Sequence, residues 1–392
     1  MLHSWRNLGR VCRCAHESLA TTSNIAINGN NKWGNPDWPH RFRYANDFLC
    51  TSNYASGKLM DRPQKRRRKK EVLVNHPAEQ VVSADIIEHT THRDGSIYKT
   101  NFGEFSYLAL YRITERDETQ LEPMMLSEPK DCYPHRECCL VHFSSLMMQI
   151  YSLKLAKIPI NTCSVQLYGY IAVRDYLDPL LNYVFNRSRD DAIIVQQGSL
   201  IEMTGPKRGI SMDSHVLMEF DMRIKKGDQE EDDLQLIDGV IPYSELAPGT
   251  PVTKRINGDC GAVDITSALV YRAVEATIDI VISKVQSGFS LSLSSFVFID
   301  GLHMGIQLFH GAIDESFGLR RYVLAVKMDT WMHLKFKVGQ KGSKNDDLER
   351  YCSFKANIHG CACQQIMLDV ASVSVKVTWS IMPLSPSVFH KI

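Results

Sequence analysis

The sequence lacks the features that mark several common classes of protein. Its 392 residues contain no apolar run that reaches the roughly 18–20 residues needed to cross a bilayer as a helix, so we expect no membrane span. The N-terminus does not have the pattern of a secretory signal peptide. Gly-x-Ser-x-Gly, His-Glu-x-x-His and the glycine-rich phosphate-binding motifs are absent, which argues against the hydrolases, metalloproteases and nucleotide-binding enzymes that they mark.

A large net charge is also lacking, but the charges are unevenly distributed. The 45 Lys and Arg nearly balance the 44 Asp and Glu, which gives a formal net charge of +1. Residues 1–70 contain 14 of these Lys and Arg but only 4 of the Asp and Glu, so a basic arm precedes an acidic body. Because nucleic acids attract proteins mainly through their phosphates, we expect nucleic acid to bind only through this arm, if at all.

The cysteines follow no repeating spacing. There are 11, an odd number, and without a secretory signal we expect mainly reduced thiols in a cytosolic, nuclear or organellar protein. Two segments combine cysteine with histidine: CYPHRECCLVH, from Cys132 to His142, and HGCAC, from His359 to Cys363. Structural zinc sites usually take two separated ligand pairs, so each segment alone is better explained as a loop or turn. We therefore predict no metal site and no cofactor.

Residues 1–75 are predicted to form a disordered basic arm with two competing targeting signals. Residues 1–23 are rich in Arg, Ser and Thr and carry no acid before Glu17, which resembles a mitochondrial transit peptide. A run of six cations resembles a nuclear-localisation or polyanion-binding signal. The run consists of Lys65, Arg66, Arg67, Arg68, Lys69 and Lys70. We expect the protein in the nucleus or cytoplasm, with the mitochondrion as the alternative, and we expect residues 76–145 to be variable and partly ordered.

Apolar and polar residues alternate through much of residues 146–392. The segments VQLYGYIAV, VLMEFDMRIK, VEATIDIVIS, MHLKFKVG and SVSVKVTWSI have this period of two, which is typical of strands with one buried and one solvated face. The pattern favours antiparallel sheets, so we predict a mainly β domain, an antiparallel β-sandwich or barrel-like fold. The face that carries Glu219 is predicted to be solvated. The residues predicted to be buried are Met218, Phe220, Met222, Ile224, Leu334, Phe336, Val375, Val377 and Trp379.

Two segments indicate an internal duplication. GPKRGISM, residues 205–212, is followed six residues later by the alternating strand EFDMRIK, and GLRRYVLAV, residues 318–326, is followed at the same distance by HLKFKV. In both, a glycine and basic residues lead into one strand and a second strand returns. The pattern predicts one hairpin used twice.

Several of these blocks, taken in order, resemble one plant protein family. MQIYSLKLAKI, VQLYGYIAVRDYLDPLLNYVFNRSRDDA, LIEMTGPKRGI, VLMEFDMRIK, AVEATIDIVI, LRRYVLAVKMD and VSVKVTWS are similar to the grass-expanded family named domain of unknown function 6598, over about residues 148–381. The resemblance implies a β-rich domain behind a variable N-terminal segment, and it brings no established activity. Some relatives carry a neighbouring domain like the ribosome-inactivating rRNA N-glycosidases. Their active site uses paired tyrosines, a helical Glu-x-x-Arg and a tryptophan, and no helical Glu-x-x-Arg segment is found here.

The segment YGYIAVRDYLDPLLNYVFNRSRDDA, residues 168–192, concentrates charge around aromatic side chains. Its Arg and Asp residues are Arg174, Asp175, Asp178, Arg187, Arg189, Asp190 and Asp191. We predict that the arginines pair with aspartates of the same segment and fix a connection between strands to the sheet. A catalytic role is disfavoured, because nearby arginines lower the pKa of a carboxylate and no histidine lies in the segment. A calcium site formed by the aspartates together with Asp213 is the remaining alternative.

These observations favour a non-enzymatic plant protein-interaction or regulatory module with an unidentified protein partner. Binding modules use exposed sheet edges and loops, and no catalytic motif competes with that interpretation. The alternatives are an enzyme related to the rRNA N-glycosidases and a calcium-binding β-sandwich. The enzyme would require a deep pocket in which aromatic side chains converge on a Glu–Arg pair.

Overall fold

The structure, a computed structural model, describes residues 81–99, 109–128, 142–159, 163–213, 215–243, 249–299, 301–340 and 348–383. All of them belong to one compact unit, Pro77–Ile392. The basic arm, with Lys65–Lys70, lies outside the described residues. None of the helices in the described ranges has the length and apolar character that crossing a membrane requires.

Strands dominate the described residues, as the alternating segments predict. The strands are β1 (Val81–Ser83), β2 (Ser145–Lys157), β3 (Ser164–Arg174), β4 (Asn182–Arg187), β5 (Ile193–Gln196), β6 (Leu200–Ile201), β7 (Ile210–Ser211), β8 (Val216–Ile224), β9 (Leu234–Tyr243), β10 (Val252–Gly258), β11 (Gly261–Ser283), β12 (Phe289–Ile299), β13 (Leu302–Ile313), β14 (Phe317–Gly318), β15 (Tyr322–Lys327), β16 (Trp331–Gln340), β17 (Leu348–Lys355), β18 (Gly360–Met367) and β19 (Ser372–Ser380). Short 3-10 turns occur at Ser96–Tyr98, Arg189–Asp191 and Glu230–Asp232.

The strands form three open sheets. A five-stranded sheet has the order β4-β3-β8-β9, with β5 also paired to β3, and a four-stranded sheet has the order β13-β12-β16-β17. The third sheet is built around β11, which pairs with β2 and β10 through its first half and with β14, β15 and β19 through its second half. Among the named strands of the described ranges, every pair is antiparallel except β1 with β10. The predicted mainly β, antiparallel fold is therefore confirmed, and it is not a closed barrel.

Strand β11 is 23 residues long and serves two sandwiches. Its first half lies in the sheet that packs on the five-stranded sheet, and its second half lies in the sheet that packs on the four-stranded sheet. The two halves meet at a bulge, where the register with β2 shifts between Val270 and Ala273. At this bulge Arg272 has a φ of 51°, in the left-handed region, and Tyr271 is exposed. One continuous strand thus links a first sandwich, which begins at β2, to a second, which ends at β19.

The strand pairings repeat between the two sandwiches. Strand β2 pairs with β6, β7 and the first half of β11, just as the second half of β11 pairs with β14, β15 and β19. Strand β3 lies between β4 and β8, just as β12 lies between β13 and β16. The similar segments GPKRGISM and GLRRYVLAV contain β7 and β15, which are equivalent strands in this scheme. The pairing pattern is thus repeated, but the two predicted hairpins are wrong. Strand β7 pairs with β2 whereas β8 pairs with β3 and β9, and β15 pairs with β11 whereas β16 pairs with β12 and β17. The two strands of each expected hairpin therefore lie in different sheets, because the connection between them crosses from one sheet of a sandwich to the other.

The core is formed by the faces that alternation predicted to be apolar. All nine residues predicted to be buried are buried, and residues from all three sheets join one hydrophobic cluster. Burial of this apolar surface is the main favourable contribution to folding. The inward side chains of β8, such as Phe220 and Met222, face this core.

The opposite face of β8 is covered as well, so its predicted solvation is wrong for Glu219, which is fully buried. Ile97, Tyr111 and Ile113 pack there against Leu217 of β8 and Val240 of β9 in a second, smaller core. The covering residues come from the segment before β2, more than 100 residues away in the sequence from β8. Alternation identifies an apolar face but cannot show that a distant segment covers the other one.

Candidate functional site

Glu219 is the centre of a buried charge cluster on the covered face of the five-stranded sheet. Its Oε1 accepts hydrogen bonds from Tyr170 Oη at 2.7 Å, from His92 Nε2 at 3.0 Å and from an Arg116 guanidinium nitrogen. Its Oε2 accepts a hydrogen bond from Arg174 Nε at 2.7 Å. Burial would raise the pKa of Glu219, but the hydrogen bond from His92 and the charges of Arg174 and Arg116 hold it well below its usual range. We call these five residues the Glu219 cluster.

His92 connects Glu219 with Asp238 on the neighbouring strand β9. Its Nδ1 lies 2.6 Å from Asp238 Oδ1, and its main-chain N–H donates to the same carboxylate at 2.9 Å. Burial alone would lower the pKa of His92, but its hydrogen bonds to Asp238 and Glu219 outweigh that effect and raise it to about 9. His92 is therefore protonated at neutral pH, and each ring N–H donates to a carboxylate.

Arg174 closes the inner end of the Glu219 cluster. The side chain is fully buried, and its remaining N–H groups donate to the carbonyl oxygens of Tyr111 at 3.2 Å, Pro179 at 2.9 Å and Glu115 at 2.8 Å. A guanidinium with its donors satisfied in this way can stay charged in the interior. Arg174 thereby attaches the segment before β2 to the end of β3.

Arg116 closes the outer end, where the cluster meets solvent. Its guanidinium carbon lies 5.3 Å from the centroid of the Tyr170 ring and 5.7 Å from that of the Tyr98 ring, close enough for cation–π attraction. Tyr183 packs edge-on against Tyr170, with ring centroids 5.7 Å apart. The Arg116 side chain is 37% exposed. Only this aromatic and cationic layer of the cluster is within reach of a ligand.

A Glu–Arg pair among tyrosines is part of what the N-glycosidase alternative requires. Here, however, the Glu219 carboxylate is fully buried, both of its oxygens accept hydrogen bonds and its pKa is held low. A catalytic acid or base needs a proton-transfer partner within reach and a pKa near the working pH. The geometry suits a structural ion cluster that fixes the segment before β2 to the sheet.

A second buried pair joins Arg208 to Asp175. The Arg208 Nη1 and Nη2 atoms lie 2.7 Å and 2.9 Å from the two carboxylate oxygens of Asp175, and both side chains are buried. Asp175 also accepts a hydrogen bond from the Ser211 main-chain N–H at 2.8 Å, and Arg208 Nε donates to Thr119 Oγ1 at 3.1 Å. The pair ties the end of β3 to β7 and to the segment around Thr119.

Glu275 of β11 plays a similar part at the junction of the two sandwiches. Its Oε2 accepts from the main-chain N–H of Gly209 at 2.8 Å, and its Oε1 accepts from the main-chain N–H of Met124 at 2.8 Å and from Ser380 Oγ at 2.6 Å. Three chain segments are thereby held by one buried carboxylate.

A third pair, Arg189 with Asp233, fixes the connection between β8 and β9. Arg189 Nε and Tyr168 Oη each donate to Asp233 Oδ2 at 2.7 Å, and the guanidinium also donates to the Gly227 carbonyl at 3.1 Å. Burial would raise the pKa of Asp233, but hydrogen bonds from Arg189 and from the Lys226 main chain lower it to about 2. The acidic connection is thus held against the sheet.

The charged segment at 168–192 therefore does not form one cluster. Arg187 pairs with Asp191 at 2.5 Å, as predicted, in a partly exposed pair. Arg174, by contrast, pairs with Glu219 of β8, and Arg189 pairs with Asp233 in the connection between β8 and β9, so the prediction of partners within the segment is wrong for both. The reason is geometric: successive residues of a strand point to opposite faces, whereas residues of adjacent strands lie side by side.

The remaining aspartates of the segment also act separately. Asp175 pairs with Arg208, and Asp178 accepts a hydrogen bond from Thr119 Oγ1 at 2.6 Å. Asp190 is exposed, and Asp213 accepts from Ser211 Oγ at 3.3 Å. Within the described ranges, no group of three or more His, Cys, Asp and Glu side chains is arranged to hold a metal ion.

Sequence reasoning missed Glu219, His92, Arg116, Arg208 and Asp233 as charged partners. Arg208 lies in the repeated GPKRG segment, in the bend just before the buried strand β7, and a basic residue at the entry to a buried strand was a signal for a buried ion pair. Nothing in the sequence near His92 or Arg116 indicates that they meet Glu219, because the contact depends on how the segment before β2 folds over the sheet.

The two segments that combine cysteine and histidine approach each other. The rings of His142 and His359 have centroids 5.6 Å apart, and Cys361 and Cys363 are exposed thiols on β18. The other residues of the first segment, which are Cys132, His135, Cys138 and Cys139, lie outside the described residues.

Comparison with known proteins gives one firm match. The family model of the domain of unknown function 6598 matches residues 147–377, from β2 into β19. No curated protein matches this chain.

Two solved structures are weakly similar. Human GIVD cytosolic phospholipase A2 is 9% identical, with a TM-score of 0.22, over 62% of this chain and 31% of that chain, so the match spans about a third of the phospholipase. The tandem C2 domains of extended-synaptotagmin 2 are 8% identical, with a TM-score of 0.23, over 68% of this chain and 98% of that chain. At these TM-scores neither likeness supports an argument about fold or function. The family match, by contrast, covers more than half of the chain and includes both sandwiches and the strand they share; the chain belongs to the family described as domain of unknown function 6598.

Proposed function

We propose that this chain is a plant protein-interaction module, from the grass-expanded group that its sequence resembles, and that a partner protein binds by adding a strand at β18. The observation that carries the proposal is the character of β18. It is an edge strand of eight residues, GCACQQIM, without a charged residue or a proline.

Strand β18 is exposed along most of its length. It pairs with β19 through every residue without a register shift, and no second strand of the described ranges pairs with it. Residues 361–365 are all exposed, although successive residues point to opposite faces, so both faces of the strand reach solvent. Edge strands of soluble proteins are usually protected by charged side chains, prolines, bulges or short length. An unprotected edge is a template for pairing with another chain.

Four other edge strands of the described ranges carry such protection. Strand β17 includes Glu349, Arg350 and Lys355, and β9 includes Asp238 and Pro242. Strand β13 pairs with β12 across a register shift, and β5 is only four residues long. The contrast favours β18 as the edge that is kept open for a partner.

The chemistry of β18 defines the expected partner. Main-chain hydrogen bonds supply affinity when a strand is added to a sheet, and the alternate side chains supply specificity. The exposed side chains of β18 are small or uncharged, among them Cys361, Ala362 and Gln365. We therefore expect an extended, uncharged segment with β-branched residues rather than a charged peptide.

The decisive experiment compares three versions of the full chain: the natural sequence, Ala362→Lys on β18 and Gln307→Lys on β13. Both substitutions add the same charge at an exposed position of an edge strand. A displayed peptide library is selected on the natural protein, and the affinity of an enriched peptide is measured for all three. We expect Ala362→Lys to weaken binding by at least about tenfold, and Gln307→Lys to leave it unchanged, at equal stability in denaturant.

The same three proteins serve as bait for affinity purification from grass tissue, where the partner should be retained by two of them and lost with Ala362→Lys. Equal binding by all three would contradict the proposal. A natural protein that is dimeric in solution, and monomeric only as Ala362→Lys, would show instead that a second copy of this chain occupies β18.

The rival functions receive no comparable support. The N-glycosidase alternative needs an accessible carboxylate, and Glu219 is buried with both oxygens bonded. The calcium alternative needs converging aspartates, and Asp175 and Asp178 instead pair with Arg208 and Thr119.

We further propose that the protein acts in the nucleus or cytoplasm, with import directed by Lys65–Lys70 rather than by the transit-like residues 1–23. A fluorescent fusion of the full chain should enter the nucleus and should lose that location when the six cations become alanine. A fusion that is found in mitochondria, or whose location is the same with and without the six alanine substitutions, would contradict this proposal.

A further inference from the structure

His142 and His359 are far apart in the sequence and adjacent in the fold. His142 lies shortly before β2 and is only 2% exposed, and His359 immediately precedes β18. Their ring centroids are 5.6 Å apart and the ring planes are inclined by 75°. Two imidazoles that the fold brings together from distant parts of the chain can bind one metal ion between them.

The distance agrees with ligation of one ion by both rings. In a tetrahedral site each imidazole nitrogen lies about 2.0–2.1 Å from the metal, which places the two ring centroids roughly 5 Å apart. The observed separation is close to this value. The two planes are steeply inclined, so the rings meet edge to face, and the edge of one ring points towards the other.

The chemistry around the pair is that of borderline metals. His142 ends one of the two segments in which cysteine and histidine are concentrated, and His359 begins the other. Either segment alone is explained as a loop or turn, but the fold brings one histidine from each together. Imidazole is a preferred ligand of Zn²⁺ and of related divalent ions, whereas Ca²⁺ and Mg²⁺ prefer oxygen.

We infer that His142 and His359 supply two ligands of a binding site for a divalent transition metal ion, with Zn²⁺ as the preferred ion. Within the described ranges no third His, Cys, Asp or Glu completes the site, so the remaining coordination positions are filled by water. Because His359 leads directly into β18, a bound ion fixes the start of that strand to the chain before β2. The inference stands on a different observation from the β18 partner proposal, and neither depends on the other.

The test uses the full chain after treatment with a chelator and dialysis. Co²⁺ and Zn²⁺ are titrated separately, and the readouts are bound metal per chain, the visible spectrum of Co²⁺ and the shift in melting temperature with Zn²⁺. The variants are His359→Asn and the double variant His142→Asn/His359→Asn. The matched control is His303→Asn/His333→Asn, a second histidine pair whose centroids are 6.2 Å apart and in which His333 Nδ1 lies 2.8 Å from Ser353 Oγ.

We expect the natural protein and the His303/His333 control to bind one ion per chain with equal affinity, and His359→Asn to weaken binding at least about tenfold. His359 is partly exposed, so this single variant decides the question even where the double variant does not fold. Unchanged binding by a folded His359→Asn, or binding by the natural protein that is abolished in the control, would overturn the inference.

Discussion

At the scale of single residues, burial decides how much an ion pair matters in this protein. Asp175 and Arg208 are almost completely buried, whereas in the pair Arg187–Asp191 the aspartate side chain is 66% exposed. Both pairs belong to or touch the same charged segment, so they form a natural comparison. Removing one partner of a buried pair leaves a charge without compensation, while solvent replaces the partner of an exposed one.

Asp175→Ala should therefore lower the free energy of unfolding by about 3–5 kcal/mol, because Arg208 stays buried without its carboxylate. Asp191→Ala should lower it by only about 0–1 kcal/mol. Equilibrium unfolding in denaturant measures both. Equal effects of the two substitutions would show that the Arg208 pair does not hold the fold together.

His92 should give stability a defined pH dependence. Its pKa is raised from 6.5 to about 9 in the folded state, so protonated His92 stabilises the fold fully below about pH 6.5, and this contribution is lost as the pH rises to about 9. A shift of this size corresponds to about 3 kcal/mol. His92→Gln should be less stable than the natural protein at pH 6, and the difference should largely disappear at pH 9.5.

The check is a series of denaturant curves from pH 6 to 9.5 for both proteins. His310→Gln, at an exposed position of β13, serves as the control. Its free energy of unfolding should change with pH in the same way as that of the natural protein. A difference between natural protein and His92→Gln that is constant over this range would contradict the protonated state of His92.

At the scale of elements, β3 depends on a close approach of backbones at Gly169. This residue has a φ of 101°, and a Cβ placed there would lie 2.1 Å from the Asp221 carbonyl oxygen of β8. Backbone atoms cannot move aside as the end of a flexible side chain can. Gly198, with a φ of 82°, has open space where a Cβ would stand.

Gly169→Ala should destabilise the fold by at least about 4 kcal/mol, which puts it among the rare severe substitutions. Gly198→Ala carries only the cost of the left-handed conformation, about 1–2 kcal/mol. Thermal or denaturant unfolding of the two variants measures the difference. A Gly169→Ala protein as stable as Gly198→Ala would show that β3 and β8 can separate without cost.

The elements that the sequence predicts well are those in which apolar and polar residues alternate. The alternating segments correspond to β3, β8, β16, β19 and the second half of β11. The first half of β11 was not predicted, because residues 261–270 are buried on both faces and their sequence does not alternate. The ion-pair partners of Arg174 and Asp175 could not be predicted for a related reason. These partners depend on which strands are neighbours in the sheets, and the order of strands in a sheet cannot be derived from a single sequence.

At the scale of the whole molecule, the shared strand should make the two sandwiches unfold together. The hydrophobic core is continuous across all three sheets, and β11 cannot leave one sandwich without disturbing the other. Trp379 is buried in the second sandwich, whereas Asp175 lies in the first. The fluorescence of Trp379 can therefore report on damage that is done far from it.

We expect a single unfolding transition, with the same midpoint by far-UV circular dichroism and by the blue-shifted emission of buried tryptophan. Asp175→Ala should lower the midpoint of both signals equally. Two separate transitions, with the tryptophan signal unaffected by Asp175→Ala, would show that each sandwich is an independent folding unit.

Strand β11 also determines the order in which strands can pair during translation. Strand β2 has to wait for the first half of β11, about 100 residues later, and at ~5–20 residues per second this takes roughly 5–20 s. When the first sandwich closes, the second half of β11 is an unpaired apolar strand. Its partner β15 follows about 50 residues later, and its other edge waits for β19, about 100 residues later. The nascent protein therefore exposes an aggregation-prone strand on the ribosome twice, and we expect it to need chaperone protection in both intervals.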